Sequence, residues 1–229
     1  MIPFRKLPYT VLLLLLPAIL SCDGKKKQVS EGMLTFSIDY PDNRDNFFLY
    51  RVLPKEMKAS FRDNVMEIKI KKAGLENTII IDGKRERIAA HYNYGEVVSS
   101  VLTKSDKKKL VDAQPDYQVK LTNEEDTLAG FKILKAEVTD PNFPDHPFDV
   151  WYTKDIRFEN PNWFNGFDKI PGVLMRYTIR QYGMKMVFEA KEFQHVTISD
   201  SIVSMKRPGK LISHEQFDAK IQELFDTFK

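Results

Sequence analysis

The sequence contains one cysteine among its 229 residues, Cys22, and only four histidines. A single cysteine excludes a disulfide within the chain, and it also excludes metal sites built from paired cysteines. The fold must therefore be stabilised by its hydrophobic core. The chain can supply such a core, because roughly 200 residues with ample aromatic side chains bury enough apolar surface without cross-links.

The motifs of common enzyme classes are also missing. The sequence has no G-x-S-x-G nucleophile motif, no H-E-x-x-H zinc motif and no phosphate-binding Walker loop. Ser99 and Ser100 interrupt a strand pattern and have no base nearby in the sequence. His91 follows two alanines in another strand pattern, which favours a structural histidine. We therefore expect a protein that is not an enzyme and needs no cofactor.

One segment leaves a metal site open as an alternative. Asp140, Asp145 and His146 lie close together, and oxygen and imidazole ligands of this kind bind divalent metals. Prolines at positions 141, 144 and 147 explain the same segment as a rigid loop between strands. A metal-dependent hydrolase would also need these side chains to converge in a pocket with a distant acid. The loop is the favoured interpretation, so no metal site is predicted.

The chain has little excess charge. The formal net charge is +3, and it falls to +1 without the basic residues Arg5 and Lys6 at the N-terminus. Setting aside the segment 22–27, with three lysines and one aspartate, leaves −1 for the remainder. A nearly neutral body does not attract nucleic acid, and the run Lys107-Lys108-Lys109 is typical of a solvated turn.

The N-terminal residues resemble the export signal of bacterial lipoproteins. Arg5 and Lys6 form a positive region, and the apolar run Leu7–Leu20 is shorter than the roughly 20 residues that span a bilayer. It ends in Ile19-Leu20-Ser21-Cys22, which resembles a lipobox with an aliphatic residue, a small residue and the cysteine that receives the lipid. Lipidation also explains the unpaired thiol of Cys22 in an exported chain.

These patterns predict a signal peptide over 1–21, a lipidated tether over 22–32 and one folded domain over 33–229. The lysines at 25–27 either lie against anionic headgroups or belong to a solvated spacer. No acidic run follows Cys22, which favours a periplasm-facing protein. We expect a protein of the bacterial cell envelope, with the periplasmic face of the outer membrane favoured and the inner membrane left open.

Most of the predicted domain is typical of β-strand, because apolar and polar residues alternate with period two. Asp82-Gly83 and Tyr182-Gly183 predict tight hairpin turns. The alternation slips between Ala190 and Phe193, which predicts a β-bulge or a sharp bend. The predicted strands cover residues 33–40, 66–71, 77–81, 85–92, 97–103, 117–121, 132–139, 149–152, 173–180, 184–191 and 193–198.

Helix is predicted at two places. Ser213 and Gln216 form a capping-box pair at the start of a C-terminal helix with an apolar stripe. A shorter helix is predicted within Arg44–Lys55, with Phe47, Phe48, Tyr50 and Val52 available to pack against the sheet. The predicted fold is mainly β (α+β): an open antiparallel half-barrel with one or two helices on its concave side. The stripe of the C-terminal helix consists of Phe217, Ile221, Leu224, Phe225 and Phe228.

Four stretches, in this order, resemble a family of exported Gram-negative lipoprotein domains of unknown function. They are Thr127-Leu128-Ala129-Gly130-Phe131-Lys132-Ile133-Leu134-Lys135-Ala136, Val150-Trp151-Tyr152-Thr153, Ile170-Pro171-Gly172-Val173-Leu174-Met175 and Met184-Lys185-Met186. The resemblance covers Ile79 to Ile198. Family members often carry a cysteine where Ile133 stands, so any role of that thiol is absent.

Such domains are similar in architecture to the LolA/LolB lipoprotein carriers, which are half-barrels whose concave face takes up acyl chains. The resemblance therefore implies a binding protein for a lipid or another apolar ligand, and it implies no catalytic residues. Residues of the alternating strands that point to one face would line such a cavity. The candidates are Phe36, Ile38, Met66, Ile68, Met175, Tyr177, Met186 and Phe188.

A second hypothesis is an envelope module that binds a protein partner and has no small-molecule ligand. It depends on the aromatic stretch between Phe143 and Phe167, where Trp163 and Phe164 lie in a loop and could form an exposed lip or lid. Packing of the same aromatics in the core and in loops is the favoured interpretation of this stretch. Periodicity does not separate the two hypotheses, because a ligand-lining strand face and a core-lining face have the same pattern.

Overall fold

A computed structural model describes residues 28–72, 74–108, 114–206 and 208–226. The predicted signal peptide and Cys22 lie outside the described residues. The strands are β1 (Glu31–Asp39), β2 (Glu56–Arg62), β3 (Val65–Lys72), β4 (Leu75–Asp82), β5 (Arg87–Tyr94), β6 (Glu96–Thr103), β7 (Gln118–Leu128), β8 (Phe131–Thr139), β9 (Phe148–Thr153), β10 (Val173–Gln181), β11 (Met184–Gln194) and β12 (Lys210–Leu211). The helices are α1 (Phe47–Val52) and α2 (His214–Asp226).

All the described strands belong to one sheet. Its order is β12-β6-β5-β4-β3-β2-β1-β11-β10-β9-β8-β7, so two meanders meet where β1 pairs with β11. Neighbouring strands run antiparallel, except that β12 is parallel to β6. The prediction of a mainly β protein with an open, largely antiparallel sheet and a C-terminal helix is confirmed.

Among the described residues, three hairpins use two-residue turns in which both residues have positive φ. They are Asp63-Asn64, Ala129-Gly130 and Tyr182-Gly183. This is the geometry that matches the twist of antiparallel strands. The predicted turn at Tyr182-Gly183 is therefore confirmed.

The tight turn predicted at Asp82-Gly83 is wrong. Four residues separate β4 from β5, and the Asp82 carboxylate accepts hydrogen bonds from the backbone N–H and the guanidinium of Arg85, at 2.9 and 3.0 Å. Gly83 has a different reason to be glycine, since a Cβ there would collide with the carbonyl of Glu159. The glycine marks the place where the loop between β9 and β10 approaches this turn.

The predicted bulge between Ala190 and Phe193 is confirmed. Thr35 pairs with Glu192 and Phe36 pairs with Ala190, so Lys191 is the extra residue. The strand predicted separately over 193–198 is wrong, because the bulge restores the alternation and β11 simply continues to Gln194.

Strand β2 was not predicted. Met57, Ala59 and Phe61 of this strand are buried and pair with β1 and β3. Their period-two spacing before Asp63-Asn64 was the signal that could have identified the strand. The broader helix expected over Arg44–Lys55 concealed it.

The registers place one apolar face across the sheet from β6 to β10. Cross-strand partners point to the same side, so Leu102, Ile88, Ile81, Met66 and Phe61 form one continuous row across β6 to β2. The row continues through β1 to β11 and β10, where Ile38, Phe188 and Tyr177 are partners. We call this side the apolar face.

Helix α2 packs on the apolar face. Ser213 and Gln216 form the predicted capping box, with side chain to backbone hydrogen bonds of 3.1 and 3.2 Å. Phe217, Ile221 and Leu224 are buried against β5 and β6. The predicted cap and stripe are therefore confirmed up to Phe225, while Phe228 lies outside the described residues.

A strap formed by residues 195–206 and 208–209 crosses the opposite face of β1 to β6. At one end, the backbone of Ile198 accepts a hydrogen bond from the guanidinium of Arg62 and donates one to the Glu31 carboxylate. At the other end, the Ser99 hydroxyl donates to the carbonyl of Pro208 at 3.0 Å. The chain then forms β12, which covers the edge of β6.

Candidate functional site

The eight predicted lining residues do come together. All of them lie in or against one hydrophobic cluster that centres on β1, β10 and β11. Six of the side chains are at most 8% exposed, and only Ile68 and Tyr177 are half-buried. Met175 lies at an irregularity in the pairing of β10 with β9 and is fully buried. Burial of this degree is typical of a packed core.

Tyr177 shows how closely this cluster is packed. Its ring stacks on Phe188 with centroids 4.9 Å apart, and it makes edge-on contacts with Phe36 at 6.4 Å and Phe167 at 6.3 Å. Burial raises the pKa of the Tyr177 phenol well above its usual value. The ring is therefore enclosed by the protein's own aromatic side chains on several sides.

The loop between β9 and β10, residues 154–172, covers another part of the apolar face. Trp163 is only 3% exposed and packs on Ile81, Ile88 and Leu102. Phe164 is half-buried and contacts the Trp163 ring edge-on at 5.9 Å. Trp163 points into the molecule and so does not form the exposed lip or lid that the sequence suggested.

Asn162 fixes the shape of this loop. Its side-chain amide is buried and donates to the carbonyls of Ile170 and Gly172, both at 2.9 Å. A Cβ at Gly172 would collide with the Thr153 carbonyl, so the chain can pass close to β9 only with glycine. The motif Ile170-Pro171-Gly172 therefore has a structural role at the entry to β10.

A recess of about 380 Å³ lies between this loop and the β4–β5 turn. Its ion pairs join Glu86 to Lys104 at 2.9 Å and Asp168 to Lys107 at 3.2 Å. Trp163 forms part of its wall, and the indole Nε1 has no hydrogen-bond partner within the described part of the chain. The lining includes Glu86, Lys107, Phe158, Asn160, Trp163 and Asp168.

The most exposed aromatics lie at the end of the sheet where β1 finishes. Phe47 and Phe48 of α1 are 76% and 68% exposed, and Phe143 of the β8–β9 loop is 52% exposed. Arg180 lies between the two segments, within 3.4 Å of the Asp42 carboxylate and 5.8 Å from the centre of the Phe143 ring. We call Phe47, Phe48 and Phe143 the aromatic tip.

Of the four side chains expected to pack inward, Tyr50 and Val52 pack against the core, but the expectation is wrong for Phe47 and Phe48. Leu49 and Leu53 are buried instead, and their spacing of one helical turn was the signal for the inward side of α1. Asn46 caps the helix, because its side chain accepts a hydrogen bond from the Leu49 N–H at 3.0 Å.

Charged side chains fix α1 against the sheet. Asp39 accepts hydrogen bonds from Arg44 at 2.5 Å and from the Tyr50 hydroxyl at 3.2 Å. The bond from Arg44 holds the pKa of Asp39 below its usual value. Lys55 places its ammonium 3.0 Å from the centre of the Tyr50 ring and 4.7 Å from that of Tyr40, and burial lowers its pKa.

The segment from Asp140 to Pro147 is built as a loop. Asp140 accepts hydrogen bonds from the backbone N–H groups of Asn142 at 2.9 Å and Phe143 at 2.8 Å. The N–H of His146 donates to the Phe143 carbonyl at 3.0 Å. No group of three potential ligands for a metal ion occurs among the described residues, Asp140, Asp145 and His146 included.

His91 and Ser99 lie beneath the strap. The His91 Nδ1 is 3.2 Å from the Ser99 Oγ, and Ser99 donates onward to Pro208. Both side chains are buried, at 6% and 7% exposure. This chain of contacts joins two strands to the strap, which agrees with the structural role expected for His91. Ser100 points to the apolar face and is also buried.

Within the ranges that the structure describes, no helix is long and apolar enough to span a membrane.

Neither a protein-family model nor a curated protein matches the chain. Solved structures do match: a structure of PNGF-II in space group P21 gives a TM-score of 0.53 at 13% identity, and one in space group C2 gives 0.50 at 14%. The alignments cover 84% and 85% of this chain but only 33% and 32% of PNGF-II. The chain thus spans about a third of the length of these proteins. At this identity the likeness concerns the fold alone.

Proposed function

We propose that this chain is a lipid-anchored protein of the bacterial cell envelope that binds another protein through the aromatic tip. The observation that carries the proposal is the exposure of Phe47, Phe48 and Phe143 at one end of a sheet whose remaining apolar face is covered. Exposed apolar clusters of this kind mark interaction sites in soluble domains.

The position of the first described residues, Gln28 and Val29, supports a partner that lies away from the anchoring membrane. Gln28 and Val29 bind the backbone of Lys154 and Asp155 at 2.6 and 2.7 Å, at the end of the sheet where β1 begins. The aromatic tip lies at the other end of β1, which at about 3.3 Å per residue is roughly 30 Å away. A lipid on Cys22 would hold the tether end near the bilayer, because six residues reach about 20 Å at most.

The surroundings of the tip fit a protein surface. Asp42 and Asp45 carry negative charge beside it, and Arg44 and Arg51 carry positive charge. An aromatic centre with a mixed polar rim is typical of protein–protein interfaces, in which aromatic side chains and arginine are enriched. A membrane-binding patch would instead be expected to carry an excess of lysine and arginine.

The sheet is inferred to form a half-barrel with the apolar face on its concave side. Helix α2 contacts β6 and also the β10–β11 turn, where the ring of Tyr182 stacks on Phe225 at 5.0 Å. In a flat sheet with strands about 4.8 Å apart, β6 and β10 would lie roughly 34 Å from each other. A helix of this length spans only about 20 Å, so curvature is required.

The filled concave side favours a protein partner over a lipid cargo. The predicted lining residues pack against one another, and the β9–β10 loop and α2 lie over the rest of the face. A carrier would have to move these elements to admit an acyl chain, at the cost of the contacts made by Trp163 and Phe217.

Site-specific photo-crosslinking in intact cells tests the proposal. A photoreactive amino acid at Phe48 is expected to capture a defined envelope protein, and the purified partner should bind the soluble chain from Gln28 onward with saturation. Replacement of Phe47 and Phe48 by serine should weaken that binding at least tenfold. The matched control is V101S, because Val101 is 41% exposed on the opposite face of the sheet.

Two results would contradict the proposal. One is equal binding by the wild type and the Phe47/Phe48 variant. The other is a native mass spectrum in which the chain purified from envelopes carries a lipid that is lost when Met186 or Phe188 is replaced by a charged residue. The second result would favour the carrier instead.

A further inference from the structure

We propose that one corner of the sheet, at the end where the tether joins it, is a docking surface for the anionic headgroups of the membrane that anchors the chain. The proposal rests on the lipid anchor of the proposed function, but it does not depend on a partner at the aromatic tip. We call this surface the basic corner. It consists of Lys84, Arg85, Arg87, Lys104, Lys107 and Lys108.

The strand registers place the basic corner at the tether end of the sheet. A row of cross-strand partners crosses this end from β1 to β6 and consists of Glu31, Arg62, Val65, Asp82, Arg87 and Thr103. Strands β1 and β6 are five strand spacings of about 4.8 Å apart, so the corner lies within roughly 24 Å of the tether. The six residue steps from Cys22 to Gln28 reach about 20 Å at most, so a bilayer that holds the lipid is within reach of this end.

Three cations of the basic corner are unpaired. The side chains of Lys84, Arg87 and Lys108 are exposed, and none of them makes an ion pair or a hydrogen bond within the described part of the chain. They can therefore bind an anionic surface without breaking an existing contact. The chain from Gln28 onward carries −1 in total, so this cluster is a local property of the corner and not of the whole surface.

Two ion pairs of the basic corner turn their positive member outward. Arg85 is 72% exposed, whereas the Asp82 carboxylate that it contacts is 4% exposed. Lys104 is 76% exposed, whereas its partner Glu86 is 18% exposed. Because the carboxylates are sheltered, an approaching anionic surface meets the cations first.

The positive surplus does not extend along the whole end of the sheet. Lys107 and its partner Asp168 are about equally exposed, at 39% and 34%. At the β7–β8 turn, Lys132 and Glu125 are 54% and 52% exposed, and Asp126 is exposed beside them. The ends of β4 to β6 therefore lie closest to the bilayer, and the aromatic tip points away from it.

Vesicle binding by the soluble chain from Gln28 onward tests the proposal, because all the described strands and helices lie within it. The chain should bind vesicles that contain phosphatidylglycerol, but not vesicles of phosphatidylcholine alone. Raised salt should release it, since salt screens exposed charges. Soluble glycerol phosphate should not displace it, because one free headgroup meets only one side chain at a time.

Charge reversal locates the surface. The variant K84E/R87E/K108E should weaken vesicle binding at least about tenfold, because each cation near an anionic surface contributes separately. The matched variant K72E/K185E/K210E has the same net charge but changes residues away from the tether end, and it should bind vesicles like the wild type. Thermal unfolding checks that both variants keep the fold.

Lysine acetylation of the wild type gives a second measurement that needs no variant. Vesicles with phosphatidylglycerol should slow the acetylation of Lys84 and Lys108, and they should leave that of Lys71 unchanged, because Lys71 lies at the opposite end of β3. Equal protection of the three lysines would contradict the proposal.

Four results of the vesicle experiments would overturn the proposal. They are no binding to anionic vesicles, equal binding to neutral vesicles, release by glycerol phosphate and equal binding by the two variants. The assay contains neither the lipid nor a protein partner, so none of these results bears on the cross-linking at Phe48. Conversely, an envelope-purified chain whose mass shows no lipid on Cys22 would refute the anchor of the proposed function and leave vesicle binding unchanged.

Discussion

The two faces of the same strands, β3 to β6, are covered in different ways. On the apolar face, Tyr92 and Val98 contact the apolar stripe of α2, and Trp163 packs on Ile81. On the opposite face the strap covers a row of polar side chains, which includes Thr78, His91 and Ser99. Apolar packing tolerates small changes in geometry, whereas each buried polar group needs its own hydrogen-bond partner. The strap is therefore expected to be the more specific and the less stable of the two covers.

The largest expected effect concerns the apolar face. Replacing Tyr177 by alanine removes a ring that contacts Phe36, Phe167 and Phe188, and it should lower the free energy of unfolding by about 3–5 kcal/mol. Y177F keeps the ring and is the matched control, with a much smaller loss. Denaturant unfolding measures both. If Y177A lost less than about 1 kcal/mol, Tyr177 would not be part of a packed core, and an open ligand cavity would again be favoured.

A smaller effect is expected beneath the strap. S99A removes the donor to Pro208 and the hydroxyl beside the buried His91 Nδ1, and the lost contacts of this buried side chain should cost about 1–3 kcal/mol. The lost stability should appear as faster hydrogen exchange and proteolysis within the strap, with a smaller change in α2. The exposed Ser105 provides the control variant S105A. Equal protection of the strap in S99A and the wild type would show that the polar row does not hold it.

The contacts beneath α1 predict a dependence on pH. The hydrogen bond from Arg44 lowers the pKa of Asp39 in the folded state, so this group contributes stability above its unfolded pKa of about 3.9. That contribution should be lost as the pH falls through the lowered folded pKa. D39N should remove this part of the acid dependence, and pH-dependent unfolding of both proteins measures it. Parallel pH profiles for D39N and the wild type would contradict the assignment.

The smallest effect on stability is expected at the outer edge of β7, which is the last strand of the sheet among the described residues. This edge is interrupted by a bulge between Leu121 and Glu125. It also carries two ion pairs, Glu124 with Lys135 and Glu125 with Lys132. These features are typical of strands that are protected against pairing with another chain. Replacing Glu124 and Glu125 by threonine should change unfolding by less than about 1 kcal/mol but increase self-association in sedimentation experiments. An unchanged monomer would show that the bulge alone protects the edge.

Sequence patterns were most reliable where one local rule dominates. The alternation of Leu34, Phe36 and Ile38 predicted a strand with one covered face, and Ser213 with Gln216 predicted the start of α2. Both depend on interactions within a few residues. The turn at Asp82-Gly83 could not be predicted in the same way, because its glycine is required by the approach of Glu159 from a distant loop.

The candidate sites were predicted less well. The predicted lining residues lie in or against one cluster, but their period-two pattern is the same for a cavity and for a core. Trp163 lies in a stretch rich in turn residues and nevertheless points inward, since Leu102 and Ile81 provide an apolar surface for it. The exposed positions of Phe47 and Phe48 follow from the packing of Leu49 and Leu53 on the sheet.

The sequence by itself determined that this protein is a mainly β domain with a C-terminal helix and one continuous apolar face. These properties come from alternation and capping, which act between near neighbours. Only the tertiary structure decided what covers that face, where the aromatic tip lies and which charges surround the recess. Such features depend on contacts between residues far apart in the chain. These contacts form, and contribute to stability, only when the two meanders and the strap are packed together.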